Sequence, residues 1–326
     1  MEKAGIPVGE KILEYRSVEL QYENQKTATL HDINFSVESG EFITILGNSG
    51  SGKTTLIKLA NRILEATAGT ILFEGRDIRE TDILDVRRRM GYVIQQVGLF
   101  PHMTIAENIS LMPRVMGWDQ KVAETRVDEL LALTKLPTDA EFKKRHPWQL
   151  SGGQQQRVGL ARALCADPKV LLMDEPFGAL DVVTRKELQR ELLQIHRQSG
   201  KTILFVTHDL QEAISLGDRV LVITDGRIQQ FDTPKNLVLH PANDYIRELF
   251  HADTPLKKLK FFSVKDFPEL LHTDAEPAAE TVDWEDSMDA VLNQVLFGRR
   301  ALAVYWDRDF CGNILCDELK TIGEMA

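Results

Sequence analysis

A glycine-rich segment from Gly47 to Thr55 has the residue types and spacing of a phosphate-binding loop. It reads Gly-Asn-Ser-Gly-Ser-Gly-Lys-Thr-Thr, and its glycines allow successive backbone N–H groups to turn toward one anion. The Lys53 ammonium can reach the outer phosphates of a nucleotide, and the Thr54 hydroxyl can bind Mg²⁺. A glycine-rich turn without a ligand is the alternative interpretation of this segment.

The elements on either side of the loop favour the phosphate-binding interpretation. Residues 42–46 read Phe-Ile-Thr-Ile-Leu and have strand composition, and residues 56–60 are typical of the first turns of a helix. A helix that begins here adds free N–H groups and its positive dipole end to the anion site. The sequence contains no G-x-G-x-x-G pattern, which argues against a dinucleotide-binding loop.

A second glycine-containing motif predicts another anion site. Residues 151–155 read Ser-Gly-Gly-Gln-Gln and open a predicted helix that runs to about Ala166, with Ser151 as a favoured N-cap residue. Each glycine costs about 1 kcal/mol relative to alanine in a helix. Uncovered N–H groups that bind an anion would explain this cost. A close crossing of two backbones is the alternative.

Two carboxylates follow an apolar run at residues 169–173. That run suits a central parallel strand buried on both faces, and open α/β sheets bind ligands at the carboxyl ends of such strands. Asp174 can therefore hold Mg²⁺ through water, and Glu175 can polarise an attacking water. Both residues would otherwise be exposed turn acids, an interpretation that the buried strand and the phosphate loop disfavour.

Three more side chains are candidates for the same site. His208 follows the apolar run 202–206 and can contact a terminal phosphate, although a lone histidine is usually structural. Gln95 follows the predicted strand 91–94 and can bind Mg²⁺ or orient water, although a loop amide is usually satisfied within its own loop. Tyr22 ends a predicted strand at residues 18–22 and can stack on a base, or it is a half-buried strand residue.

The composition of the chain limits its function. The 326 residues carry a net charge of −10, which argues against a nucleic-acid-binding surface. No apolar run approaches the roughly 20 residues that span a bilayer, and residues 1–14 lack the apolar core of a signal peptide. The three cysteines fit a reducing compartment. We therefore expect a cytosolic protein or one bound to a membrane through a partner.

Together and in this order, the motifs resemble those of an ATP-binding cassette (ABC) transporter ATPase over residues 18–250. The resemblance implies an α/β fold: a P-loop NTPase domain of the ABC type with a mixed sheet and a helical subdomain, and ATP and Mg²⁺ as cofactors. It implies that the phosphates are bound by Gly47, Asn48, Ser49, Gly50, Ser51, Gly52, Lys53, Thr54 and Thr55. It implies a signature motif formed by Ser151, Gly152, Gly153 and Gln154.

The resemblance also implies individual roles for the remaining candidates. Catalysis would involve Glu175 as the general base, His208 as a switch histidine and Gln95 in the loop that touches the metal and the membrane partner. The metal would be bound by Thr54, Gln95 and Asp174. Tyr22 would stack on the base, and Asp181 would lie in a dimer contact. Related ATPases often have a serine where this chain has Gly178.

A narrower resemblance concerns the transported solute. Residues 91–102, 174–181 and 241–245 look like those of osmoprotectant importers for glycine betaine, choline and related quaternary amines. Residues 177–181 also occur in nitrate- and sulfonate-type importers, so they do not discriminate alone. The alternatives are an importer ATPase for nitrate, sulfonate, ergothioneine or another amine, and a non-transport ABC protein of DNA repair or translation.

Family resemblance implies partners as well. Two ABC subunits pack head to tail, so that each ATP lies between the phosphate loop of one chain and the signature of the other. We therefore expect a homodimer, permease subunits contacted through residues 95–102, and an extracytoplasmic solute-binding protein, with no nucleic acid. Such an ATPase would lie at the cytoplasmic face of the inner membrane, held there by the permease.

The C-terminal part predicts a small additional module. We expect an ATP-binding domain at residues 15–251, a linker at 252–281 and a small α/β appendage at 282–326. A helix from Asp286 and strands at 301–305 and 312–315 resemble one cystathionine-β-synthase (CBS) repeat. Such repeats normally pair, so we expect this one to pair with its mate across the dimer. A small stabilising appendage is the alternative.

Overall fold

The structure is a computed structural model, and it describes residues 9–23, 27–95, 98–178, 180–250, 262–296, 299–306 and 309–315. The chain divides into two compact units, Met1–Phe231 and Asp232–Ala326. The predicted domain bounds at 15–251, 252–281 and 282–326 stay predictions. Residues 252–261 of the predicted linker and residues 316–326 of the predicted repeat lie outside the described residues.

The strands up to the end of the first unit follow the predicted order along the chain. Their bounds are β1 Lys11–Leu20, β2 Leu30–Glu38, β3 Phe42–Leu46, β4 Ala68–Phe73, β5 Arg76–Asp77, β6 Met90–Val93, β7 Val170–Asp174, β8 Thr202–Thr207, β9 Arg219–Thr224 and β10 Arg227–Asp232. β1 begins seven residues before the predicted strand and ends at Leu20, so Tyr22 follows the strand and does not belong to it.

Eight α-helices lie between the described strands of this unit, and four of them follow one another between β6 and β7. Their bounds are α1 Lys53–Ala60, α2 Ile83–Arg88, α3 Ile105–Val115, α4 Gln120–Leu133, α5 Ala140–Lys144, α6 Gly152–Cys165, α7 Val182–Ser199 and α8 Leu210–Leu216. α3, α4, α5 and α6 pack on one another and form the helical subdomain. Within the described ranges, no helix has both the length and the apolarity needed to span a membrane.

The central sheet carries the candidate site. Its strand order is β10-β9-β3-β8-β7-β6, and β6, β7, β8, β3 and β9 are paired in parallel. Alternate residues of these strands belong to two separate cores, so that Leu172 and Leu204 lie in one and Leu171 and Ile203 in the other. Every residue of β7 and β8 is buried. These strands are therefore covered on both faces, as their apolar runs predict.

A second sheet covers the helix that follows the phosphate loop. Its order is β2-β1-β4-β5, and its pairs are antiparallel. Leu13 and Tyr15 of β1 share a core with Leu56 and Ile57 of α1. The buried Tyr15 hydroxyl donates a hydrogen bond of 2.8 Å to the backbone carbonyl of Leu56. This sheet therefore fixes α1, and with it the loop, from the side opposite the central sheet.

The second unit contains its own small sheet. Its elements are α9 Pro234–Leu239, α10 Asp244–Leu249, β11 Leu271–His272, β12 Thr281–Asp283, α11 Met288–Leu296, β13 Ala301–Trp306 and β14 Asp309–Leu315. The strand order is β11-β14-β13-β12. The helix and the two strands predicted at this end of the chain are present, while the resemblance to a CBS repeat stays a prediction.

Candidate functional site

The segment from Gly47 to Thr55 connects β3 to α1, in the strand–loop–helix arrangement that the sequence predicts. Asn48, Ser49 and Gly50 are exposed, whereas Ser51, Gly52 and Lys53 are buried. The Lys53 ammonium donates hydrogen bonds of 2.7 and 2.9 Å to the carbonyls of Gly47 and Asn48. These bonds hold a buried positive charge directly beneath the exposed part of the loop.

The glycines of this loop are required for different structural reasons. A Cβ atom on Gly47 would lie 2.1 Å from the carbonyl oxygen of Ile223, so the backbone there leaves no space for a side chain. Gly52 has φ +103°, and a Cβ atom on it would lie 2.6 Å from Leu30. Gly50 has φ +79° and opens onto free space. The loop is thus packed tightly from below and open on its outer side.

The loop and the start of α1 fit a phosphate group. No side chain caps the N-terminus of α1, so its first N–H groups are free to bind an anion. The Ser51 hydroxyl is buried and has no hydrogen-bond partner among the described residues. Burial lowers the pKa of Lys53, although the charges of Glu175 and Asp174 oppose this shift. An anion bound here would stabilise the charged lysine.

Thr54 and Asp174 face each other across the loop. The Thr54 hydroxyl donates a hydrogen bond of 2.8 Å to Oδ1 of Asp174 at the end of β7. Burial raises the pKa of Asp174, and the bond from Thr54 opposes that shift. A hydroxyl and a carboxylate are hard oxygen donors that suit Mg²⁺, which takes waters and substrate phosphates as its other ligands. The described chain contains no all-protein cluster of three His, Cys, Asp or Glu residues for a metal.

The Glu175 carboxylate brings together three of the predicted residues. Its Oε2 atom accepts a hydrogen bond from Nε2 of Gln95 at 3.4 Å and lies 3.1 Å from Nδ1 of His208. The backbone of Glu175 has φ +45°, and its N–H donates to the carbonyl of Val206 at 3.1 Å. A left-handed conformation costs a non-glycine residue about 1–2 kcal/mol. This strained turn directs the carboxylate toward the groups at the ends of β6 and β8.

Tyr22 lies beside the start of α1. Its hydroxyl is 3.4 Å from Oγ1 of Thr55, and 37% of the residue is exposed. The ring is therefore exposed beside the end of the phosphate loop. Its stacking role stays a prediction.

The predicted signature residues and Asp181 form a separate group, which we call the signature cluster: Ser151, Gly152, Gly153, Gln154 and Asp181. Ser151 and Gln154 cap α6 reciprocally, with bonds of 3.3 and 3.1 Å. Asp181 caps α7 by accepting bonds from Val183 and Thr184. A Cβ atom on Gly153 would lie 2.8 Å from Thr184. The starts of α6 and α7 therefore pack together.

An ion pair fastens the two helices of the signature cluster, and sequence reasoning missed it. Nε and Nη2 of Arg157 each donate a hydrogen bond of 2.9 Å to the carboxylate of Glu191. Lys135 lies 3.5 Å from the same carboxylate. Glu191 stands inside the buried apolar face of α7 that contains Leu188, Leu192 and Ile195. An acid within an apolar stripe was the available sequence signal.

Comparisons with known proteins agree with this geometry. The profile of the ABC transporter family matches residues 30–178. The chain is 43% identical over 279 residues to the glycine betaine uptake system ATP-binding protein YehX of Escherichia coli (strain K12), covering 85% of this chain and 89% of the relative. It is also 46% identical over 242 residues to the carnitine transport ATP-binding protein OpuCA of Listeria monocytogenes serotype 1/2a (strain 10403S). This match covers 74% of this chain and 60% of the relative.

Solved structures of ABC proteins have a fold similar to that of this chain. CbiO1 of Clostridium perfringens, part of an ABC transporter complex, matches with a TM-score of 0.65 and 30% identity over 74% of this chain and 94% of its own. The ATP-binding cassette MJ0796, a dimer bound to ADP and Pi, matches with a TM-score of 0.61 and 31% identity. This match covers 68% of this chain and 98% of the MJ0796 chain. The predicted family and fold class are confirmed, and the chain belongs to the ABC transporter ATPases.

Proposed function

We propose that this chain is the ATP-hydrolysing subunit of an ABC importer for quaternary amine osmoprotectants. The observation that carries the proposal is the position of Glu175 at the edge of the phosphate loop, with Gln95 and His208 both directed at its carboxylate. A carboxylate held in this way suits a general base that orients and deprotonates an attacking water.

The remaining groups of the site have distinct roles in this proposal. Lys53 and the uncapped N–H groups of α1 bind the β- and γ-phosphates, which lie against the exposed rim from Asn48 to Gly50. Thr54, Asp174 and Gln95 would hold Mg²⁺, which would neutralise charge on the phosphates. Glu175 takes the proton of the water that attacks the γ-phosphate, and His208 fixes the carboxylate for that step. Tyr22 stacks on the base.

The proposed active unit is a homodimer. The signature cluster is built on the starts of α6 and α7, and its polar groups bond to the ends of their own helices. Gly152 is exposed at the N-terminus of α6, as an anion site requires, whereas Gly153 packs against Thr184. We infer that this cluster completes the ATP site of a second copy. The relative MJ0796 forms a dimer with ADP and Pi, which supports this inference.

The proposed membrane contact is the segment from Gln95 to His102. Phe100 is 41% exposed, and the backbone around it is held by Asn108, whose side chain accepts from the Phe100 N–H at 2.8 Å and donates to its carbonyl at 3.1 Å. A fixed, exposed aromatic residue suits a docking site for a permease. Gln96 and Val97 of this segment lie outside the described residues. This contact would place the chain at the cytoplasmic face of the inner membrane.

The proposed solute follows from the relatives and not from the geometry of this chain. Relatives with 43–46% identity have names that specify glycine betaine, carnitine, choline or osmoprotectants. We propose the same class of solute here, delivered by an extracytoplasmic binding protein. An importer ATPase for another solute, such as nitrate or sulfonate, is the alternative, because the binding protein and the permease select the solute.

The proposed domain bounds are 15–251, 252–281 and 282–326, with the last segment as a single CBS-like repeat that pairs across the dimer. The sheet of β11 to β14 supports a separate C-terminal module, although β11 and Thr281 of β12 lie within the proposed linker. Ending the chain after Ala252 tests this proposal. We expect weaker dimerisation or a lost response of ATPase activity to salt, whereas a truncated protein with both properties intact would contradict the pairing.

The function as a whole is tested by reconstitution with a permease that co-purifies with this chain and with its solute-binding protein. We expect uptake of glycine betaine or choline that depends on ATP and is abolished by Lys53→Ala. Lys121→Ala provides a matched control, because Lys121 is an exposed lysine on α4. Nitrate uptake without quaternary amine uptake would favour the alternative solute, and ATP-independent uptake would contradict the proposed function.

A further inference from the structure

Tyr92 lies on the strand next to the one that ends in Asp174. In the parallel pairing of β6 with β7, Tyr92 is opposite Leu172, so both side chains lie on the same face of the sheet. Asp174 is two residues beyond Leu172 and returns to that face, because side chains alternate along a strand. Tyr92 therefore lies diagonally behind Asp174, at a separation that a long aromatic side chain can bridge.

The shared face is the one covered by α1. Leu172 belongs to the core that includes Leu56 and Ile57 of α1, and the Tyr92 ring packs against this core. Thr54, on the first turn of the same helix, is the hydrogen-bond donor to Asp174. Tyr92 and Thr54 therefore approach the Asp174 carboxylate from the sheet and from the helix, respectively.

The Tyr92 hydroxyl is buried and makes no hydrogen bond within the described part of the chain. Buried polar groups are nearly always paired, and an unpaired one requires an explanation. Burial raises the pKa of Tyr92, and the interaction with the Asp174 carboxylate raises it further. The register of the two strands places this unpaired hydroxyl on the same face of the sheet as that carboxylate.

Asp174 has room for a second donor. Its Oδ1 atom accepts the bond from Thr54, and an ionised carboxylate accepts about four hydrogen bonds in total. If Thr54 and Asp174 hold Mg²⁺ as proposed, the Thr54 hydroxyl would bind the metal through an oxygen lone pair while its proton still donates to Oδ1 of Asp174. A single donor at Oδ1 leaves the rotation of the carboxylate unfixed, and Tyr92 is the buried, unpaired donor on the same face.

We propose that Tyr92 is a positioning residue, whose hydroxyl donates to the Asp174 carboxylate and fixes its orientation toward bound Mg²⁺. This inference rests on the metal-binding role proposed for Asp174. Groups that orient a metal ligand typically change metal affinity by about 10–100-fold when they are removed. Tyr92 would thus contribute to metal affinity without touching the metal or the nucleotide.

Tyr92→Phe tests the proposal because it removes only the hydroxyl. The readout is calorimetric binding of a non-hydrolysable ATP analogue, first with EDTA and then with Mg²⁺, together with the melting temperature of the free protein. We expect unchanged affinity in EDTA, an at least fivefold smaller gain in affinity on adding Mg²⁺, and a melting temperature equal to or above that of the wild type.

Tyr245→Phe is the matched control. Its hydroxyl is also buried without a hydrogen-bond partner among the described residues, but it belongs to the second unit. We expect its removal to leave the gain from Mg²⁺ unchanged. A general effect of deleting a buried hydroxyl would appear in both variants, whereas the proposed role appears in Tyr92→Phe alone.

The outcomes separate this inference from the proposed function. If Tyr92→Phe keeps the full gain from Mg²⁺ while Asp174→Asn loses it, Tyr92 has no positioning role and the proposed metal site stands. Equal losses of affinity with and without Mg²⁺, together with a lower melting temperature, would also overturn the inference by showing a purely structural role. If Asp174→Asn itself keeps the gain, the metal-binding role of Asp174 is wrong.

Discussion

Nδ1 of His208 lies 3.1 Å from Oε2 of Glu175, although the two residues are 33 positions apart in the sequence. Nε2 of Gln95 donates to the same oxygen at 3.4 Å. The three residues follow β6, β7 and β8, which are neighbours in one parallel sheet. One carboxylate oxygen is therefore held from both sides by the ends of adjacent strands, which is the arrangement that the proposed general base requires.

Replacing this carboxylate separates catalysis from binding. Glu175→Gln should reduce ATP turnover by at least about 100-fold, because a neutral amide cannot accept the proton of the attacking water. ATP binding should persist and should produce a stable dimer, which sedimentation in the presence of ATP measures. Glu187→Gln changes an exposed glutamate of α7 and serves as the control. ATPase activity at the wild-type rate in Glu175→Gln would show that Glu175 is not the base.

Two glycines of the phosphate loop should respond differently to alanine. Gly47→Ala should lower the free energy of unfolding by about 3 kcal/mol, because the new Cβ atom lies 2.1 Å from the backbone oxygen of Ile223 and overpacking typically costs 1–3 kcal/mol. Gly50→Ala should cost only about 1–2 kcal/mol, from its positive φ, because it opens onto free space. Urea unfolding of the nucleotide-free protein measures both. Equal losses would contradict this description of the loop.

The ion pair between α6 and α7 should contribute to stability. Arg157→Ala should lower the free energy of unfolding by about 3 kcal/mol, because it leaves the mostly buried Glu191 carboxylate without its two-bond partner. Arg145→Ala removes an exposed pair with Glu141 and should cost less than about 1 kcal/mol. Urea unfolding distinguishes the two variants. ATP-dependent dimerisation should weaken in Arg157→Ala alone, because only this pair fastens the signature cluster.

The gain in nucleotide affinity from Mg²⁺ should decrease at acidic pH. Burial raises the pKa of Asp174, and only the deprotonated carboxylate binds a metal. Protonation therefore removes the metal ligand as the pH falls through this raised pKa. The loss occurs at a higher pH than it would for an ordinary aspartate, whose pKa is about 3.9. Binding of a non-hydrolysable analogue from pH 7.5 to pH 5 measures this. The Asp174→Asn variant has no titrating carboxyl at this position, so its pH profile reports the titration of the nucleotide. Identical pH profiles of the wild type and this variant would refute the prediction.

The candidate site was largely predictable from the order of apolar runs and polar residues along the chain. Glu175 and His208 each follow a continuous apolar run, and such runs form parallel strands that are buried on both faces. Because the carboxyl ends of parallel strands meet at one edge of a sheet, two residues at these positions must be close. The observed contact between Glu175 and His208 confirms that reasoning.

The extent of β1 was not predictable from simple alternation. Residues 18–22 read as a strand, but β1 begins at Lys11. The pairing with β2 shifts register between Tyr15 and Val18, where Ser17 has φ +45°. This bulge moves the buried positions from the odd-numbered Leu13 and Tyr15 to the even-numbered Val18 and Leu20. A pattern of period two therefore breaks in the middle of one continuous strand.

The sequence also did not predict contacts between residues on distant elements. Arg157 and Glu191 are 34 residues apart, and nothing local indicates that their helices pack side by side. Tyr92 lies in an ordinary strand sequence, and its relation to Asp174 depends on the register of β6 against β7. Register is a property of the folded sheet, so a single sequence without that pairing does not reveal such contacts.

The most direct test of the central claim is the specific ATPase activity of the wild-type chain at decreasing protein concentration, with sedimentation measured in parallel. If the site is completed by the signature cluster of a second copy, total activity should rise more than linearly with dilute protein and should disappear where the chain sediments as a monomer. Constant specific activity at concentrations where only the monomer is present would contradict the claim.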